Sequence, residues 1–110
     1  MALQTRNVKG QMSNSAAAVL TAGTKQTFII QNITIANASG SDVSDIKFYI
    51  YPEGGSASNS TQVFFLSSLV DDSQAQVSLK HNLYNGDVLA AVAGTNTAVN
   101  YVISYAKRTD

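Results

Sequence analysis

The stretch Thr27–Asn37, TFIIQNITIAN, decides the fold class. It is rich in Ile, Thr and Phe, and branched or aromatic side chains suit a pleated, half-buried surface. Its alternation changes phase partway: Phe28 and Ile30 share one face, while Ile33 and Ile35 share the other. A bulge or bend near Gln31-Asn32 would return all four to a single core. The next apolar stretch, Asp45–Tyr51 (DIKFYIY), alternates without a break. Ile46, Phe48 and Ile50 point one way, and Lys47, Tyr49 and Tyr51 the other. That period of two predicts a half-buried antiparallel strand, stopped by Pro52. Between the two strands Ser39–Asp42, SGSD, reads as a turn.

The rest of the chain continues the pattern. Ala16–Thr21 predicts a weak strand ended by Ala22-Gly23, and Glu53–Thr61 (EGGSASNST) a flexible loop. Gln62–Leu69 predicts a strand with Val63, Phe65 and Leu69 inward. Phe64 and Phe65 are adjacent and so face opposite ways, which puts one of them under a loop, at a bend or in an interface. After the Asp71-Asp72 turn, Ala75–Leu79 predicts a short strand with Val77 and Leu79 inward. A helix over Asp71–Leu83, placing Leu79 four residues from Leu83, is the competing reading of that region. Asn85-Gly86-Asp87 is a strong turn signal. Val88–Val92 and Val99–Ala106 are the last strands, and in the second Tyr101, Ile103 and Tyr105 alternate with Val102 and Ser104. About seven strands with turns between them predict an all-β fold, an antiparallel two-sheet sandwich or jelly-roll-like domain over residues 16–110. Residues 1–15 are polar and aperiodic and carry Arg6 and Lys9. They read as an extended N-terminal arm that orders on a neighbouring subunit, or as a frayed terminus.

Composition narrows the function classes. The 110 residues hold seven Lys+Arg against seven Asp+Glu, and only 13% are charged, about half the roughly 25% of an ordinary domain. A neutral, charge-poor chain lacks the electrostatic footprint of a nucleic-acid binder. No run of about 18 apolar residues is present to span a membrane. The absence of cysteine excludes disulfides and thiolate metal sites. The first 20 residues lack the shape of a secretory signal, which predicts synthesis in a cytoplasm. The N-x-S/T matches at Asn32, Asn37 and Asn59 therefore read as chance. Near-zero net charge leaves self-association unopposed.

Catalytic and cofactor motifs are missing. His81 has no nucleophile or orienting carboxylate placed beside it by sequence, and no G-x-S-x-G occurs. Asp42, Asp45, Asp71, Asp72 and Asp87 match no calcium-loop spacing; Asp42 and Asp45 read as turn residues and strand flankers, Asp71-Asp72 as a solvated turn, and Asp87 as part of the Asn85-Gly86-Asp87 turn. Gly54-Gly55 runs into a Ser-rich loop rather than a Lys-Ser/Thr and helix. The expectation is a non-enzyme without metal or cofactor. Tyr49 and Tyr51 are the best local hint of an interface, because tyrosine buries a large ring and keeps a polar tip. Together with Arg6 and Lys9 they are the candidate contact residues.

The order of features resembles small virion structural proteins of tailed bacteriophages. The matching features are TFIIQNITIANASGSDVSDIKFYIY at 27–51, a Ser/Asn loop, Leu69-Val70, and LKHNLYNGDVLAAVAGTNTAVNYVISY at 79–105, within a likeness over about residues 20–106. The low charge and the Gly-Gly-Ser loop depart from that pattern. The resemblance implies a two-sheet β fold and a virion component, and no catalytic residue carries over. It leads to the expectation of a capsid decoration or cement protein, made in the host bacterial cytoplasm and bound outside the major capsid protein shell. Such a protein would be a homo-oligomer, a trimer being one closed form. A neck, tail or fibre component is the alternative within that class. A carbohydrate-binding module stacking sugars on Tyr49, Tyr51 and Tyr84 is the alternative outside it.

Overall fold

The computed structural model describes residues 3–77, 79 and 81–109. These form nine strands: β1 (Leu3–Gln11), β2 (Ala17–Thr21), β3 (Gln26–Asn37), β4 (Val43–Tyr51), β5 (Gln62–Leu69), β6 (Ser73–Val77), β7 (Asn82–Tyr84), β8 (Val88–Val92) and β9 (Val99–Thr109). One sheet runs β1-β9-β3-β6, with β7 also on β3; the other runs β2-β8-β4-β5. Every pairing is antiparallel. The pairs are nested along the chain. The β4·β5 hairpin is the tip, and β3·β6, β2·β8 and β1·β9 lie progressively further back. Wrapping such a ribbon brings β9 against β3 and β8 against β4, which is jelly-roll packing of two sheets.

The phase change in β3 is resolved by a bulge. Its register with β9 shifts between Ile30 and Asn32, and Phe28, Ile30, Ile33 and Ile35 are all buried. The extra residue, Gln31, is exposed. Opposite them in the second sheet lie Ile46, Phe48 and Leu89. The Phe28 and Tyr105 rings stand 4.8 Å apart, and Phe48 meets Phe64 edge-on at 5.8 Å. Such pairs add about 1 kcal/mol beyond area burial.

The structure changes two readings and closes one open alternative. In β5 the inward residues are Phe64 and Leu66, while Val63 and Phe65 are exposed. The run Val-Phe-Phe-Leu is apolar in both phases, so alternation alone could not choose; pairing of Phe64 with Phe48 chooses. The Asp71–Leu83 region contains strands β6 and β7 instead of a helix. Both strands share one edge of β3, on either side of its bulge. Leu79 and Leu83 are both buried, as the helical reading also required. Ser78, inside the expected Ala75–Leu79 strand, lies outside the described residues, as do Met1 and Ala2 of the arm. Over Leu3–Gln11 the polar N-terminal stretch runs as strand β1, from Leu3 opposite Arg108 to Gln11 opposite Asn100. Its side chains are mostly exposed, with Val8 packed on the core. Met12, just after it, is buried and donates its N–H to the Val99 carbonyl at 2.8 Å.

The Asn-Gly signal makes a corner between sheets. Asn85 and Gly86 both have positive φ (32° and 94°), and Asp87 N–H donates to the Tyr84 carbonyl at 2.9 Å. That geometry needs residues tolerant of the left-handed region. The chain enters the corner from β7 in one sheet and leaves as β8 in the other. At the opposite end Asn37 is buried and ties the β3–β4 turn to the end of β5.

Candidate interaction surface

Of the aspartates expected at turns, Asp42, Asp71 and Asp87 are held there by hydrogen bonds, whereas Asp45 lies within β4. Asp42 Oδ1 accepts the Asp71 N–H at 3.0 Å, Asp71 Oδ1 accepts the Gly40 N–H at 2.8 Å, and Asp87 Oδ2 accepts the Tyr84 N–H at 3.0 Å. His81 is exposed, and its carbonyl accepts the Ile30 N–H. What the fold does present is two broad outer faces of contrasting chemistry.

The outer face of the five-stranded sheet is polar and nearly uncharged. Its register sets Asn7, Ser104 and Asn32 in one row, Lys9, Val102, Thr34 and Gln76 in the next, and Gln11, Asn100, Ala36 and Gln74 in a third. Side chains along the rows bond to one another: Ser104 Oγ to Asn7 at 2.8 Å, Gln11 to Asn100 at 3.2 Å, Thr34 to Gln76 at 3.2 Å. In these three rows Lys9 is the one charge.

The outer face of the four-stranded sheet is more apolar. Its rows are Thr21, Val88 and Tyr51; Ala18, Ala90, Tyr49 and Gln62; and Val92, Lys47 and Phe65. Tyr49 is only 9% exposed, between Ala90 of β8 and Gln62 of β5, and Tyr51 is half-buried. A shallow depression next to them is walled by Ser15, Ala16, Asp45, Lys47, Tyr49 and Val92. Lys47 Nζ stands 5.9 Å from the centre of the Phe65 ring, within reach of a cation–π attraction.

The four sequence-picked contact residues fall on separate surfaces. Tyr49 and Tyr51 share the outer face of the four-stranded sheet. Lys9 is on the outer face of the other sheet, paired with Val102. Arg6 pairs with Tyr105 and so has the opposite orientation along β1; its guanidinium donates to Gln4 Oε1 at 2.8 Å. Tyr84 lies on β7 in the five-stranded sheet, so the three tyrosines considered for sugar stacking do not form one platform. The exposed apolar residues that sequence reading placed in the core are Val63 (38% exposed) and Phe65 (49%). The adjacency of Phe64 and Phe65 was the signal for them.

No family model matches the chain, and no curated protein does. Solved structures do. One is a chain from endospore appendages of Bacillus, described as disulfide-linked pili. It is 10% identical, with a TM-score of 0.59, over 98% of this chain and 87% of that one. Another comes from the acid-stable capsid of Helicobacter pylori bacteriophage KHP30. It is 8% identical, with a TM-score of 0.51, over 97% of this chain and 87% of that one. At such identities the likeness is one of fold. It extends over nearly the whole chain, N-terminal strand included. The pili are disulfide-linked, whereas this sequence contains no cysteine.

Proposed function

We propose that the chain is a structural subunit of a bacteriophage virion, acting as a decoration or cement protein on the outside of the capsid shell. The observation that carries this reading is the pair of outer sheet faces with few charges, Lys9 in the three rows of one and Lys47 in the three rows of the other. Charged groups are depleted at the centres of protein interfaces because their desolvation is costly. Side-chain hydrogen bonds already made within the polar face lower that cost further, and fewer free donors must be stripped of water. The fold shared with a phage capsid chain is consistent with a particle component. Mechanistically, the protein would work by binding free energy alone. Copies bridging neighbouring capsid subunits add interface area, and many modest contacts on one shell multiply in effect. Arg6, Lys9 and the rest of β1 would meet acidic groups of the major capsid protein, and the half-buried Tyr51 would contribute apolar contact beside an already covered Tyr49.

The likeness to a pilus chain favours a second reading, in which the same domain stacks into a neck, tail or fibre. Gold-labelled antibody against the chain, applied to intact particles and viewed by electron microscopy, separates the two. Label spread over heads supports decoration. Label confined to neck or tail replaces it with the second reading, and unlabelled particles overturn both.

A further inference from the structure

We propose that β5 is a pairing edge, and that the strand it takes is β5 of a second copy, giving a two-fold dimer in which the four-stranded sheets join. Three observations converge on this strand. First, β5 is the last strand of its sheet, so its outer side carries an open row of N–H and C=O groups. Second, its eight residues, QVFFLSSL, include no charge and no proline, the usual devices that keep an edge from pairing. A single bulge at Val63 breaks the register with β4 and leaves Phe64–Leu69 in continuous register. Third, apolar surface is concentrated here. Val63 and Phe65 project from its outer face, Val70 (58% exposed) follows it, and Phe64 and Leu66 are only partly covered from within.

The other edges argue for a second β5 as the occupant. β1 (LQTRNVKGQ) is polar and carries Arg6 and Lys9, so it offers Val63 and Phe65 poor neighbours. Paired with itself, β1 would bring like charges together. β2, β6 and β7 are five, five and three residues long. Only β5 matches β5 in length, apolarity and lack of charge. In an antiparallel two-fold pair centred on Phe65, that ring faces Phe65 of the partner subunit, and the half-covered Phe64 and Leu66 gain cover. Eight residues a side is well short of the 20–30 of a standard interface, so the isolated dimer is weak and is read at about 10 µM to 1 mM.

The purified chain tests this without any particle, so the virion reading and this one stand or fall separately. Sedimentation across that concentration range is expected to show a monomer–dimer equilibrium. Phe65→Glu should weaken it at least tenfold, because two carboxylates meet across the axis while Lys47 on β4 still pairs with the new side chain and preserves the fold. Tyr84→Glu, at an equally exposed ring on the other sheet, should leave it unchanged. The cysteine-free background adds a second readout. Opposed residues of an antiparallel pair have Cα atoms about 4.5–5.5 Å apart, within disulfide range. Under oxidation Phe65→Cys should therefore form covalent dimers far faster than Tyr84→Cys. A chain that stays monomeric at 1 mM overturns the proposal and leaves β5 to a strand of some other protein. So does association that Phe65→Glu does not weaken, or cross-linking no faster than the control. Open-ended growth without cross-linking through Phe65→Cys overturns the two-fold arrangement.

Discussion

Removing the Asn37 side chain should cost about 3 kcal/mol of stability, although the residue sits at the end of a strand far from the aromatic core. Asn37 is 1% exposed and makes four hydrogen bonds. Its Nδ2 donates to the carbonyls of Ser41 at 2.8 Å and Leu69 at 2.9 Å, and its Oδ1 accepts from Ser39 N–H at 3.1 Å and Ser39 Oγ at 2.7 Å. In Asn37→Ala the Leu69 carbonyl, the buried partner, is stranded, which costs about 1–3 kcal/mol. The other three bonds go to Ser39 and Ser41, which are exposed, so water replaces Asn37 at about 0.5 kcal/mol each. The sum is about 3 kcal/mol. With a urea m value of about 1.5 kcal/mol/M, the unfolding midpoint should fall by about 2 M with m unchanged. Asn32→Ala, at the exposed bulge of the same strand, should stay within about 0.5 kcal/mol. Asn37→Asp should be worse than alanine at neutral pH, because a carboxylate would face two carbonyl oxygens. A cost for Asn37→Ala indistinguishable from that of Asn32→Ala would refute the reasoning, since it would mean water already reaches the Leu69 carbonyl.

Three further outcomes test other parts of the structure. Phe64→Ala should cost about 2–4 kcal/mol in urea unfolding and Phe65→Ala under about 1 kcal/mol; the reverse order would mean the β5 register is wrong. Gly94→Ala should lower Tm by several degrees, because a Cβ there would stand 2.5 Å from the Ser44 carbonyl oxygen, which already accepts the Gly94 N–H. A melt unchanged from the native protein would show that β4 gives way freely. Deleting residues 1–10, which spares buried Met12, should leave a folded but less stable chain by circular dichroism that no longer binds particles in a co-sedimentation assay. Retained binding would remove Arg6 and Lys9 from the contact surface.

Much of the fold was legible because single strands are local objects. Periodicity located β3, β4, β5, β8 and β9 to within a few residues, and the phase change in TFIIQNITIAN foretold the bulge at Gln31. β1 and β7 were not legible. The side chains of β1 are nearly all polar and exposed, so hydrophobic pattern says nothing, and the strand exists through its backbone ladder to β9. β7 is three residues long, too short for any period. The candidate surface was partly legible. Alternation put Tyr49 and Tyr51 on the non-core side of β4, but Tyr49 is only 9% exposed at its place inside the sheet, between Ala90 of β8 and Gln62 of β5, a placement that only strand pairing sets.

What the sequence determines by itself is what depends on neighbours in the chain: the β class, the turns, the missing charge and cysteine, and which side chains within a strand face together. Which strands pair, and which face of an ambiguous strand turns inward, depends on residues far apart. Phe64 faces the core because Phe48 lies opposite it, and the Asn85-Gly86 turn joins two sheets because β2 and β3 claim its flanking strands. Those choices belong to the jelly-roll wrapping, which packs the inner faces of the two sheets together and leaves β5 at the end of its sheet.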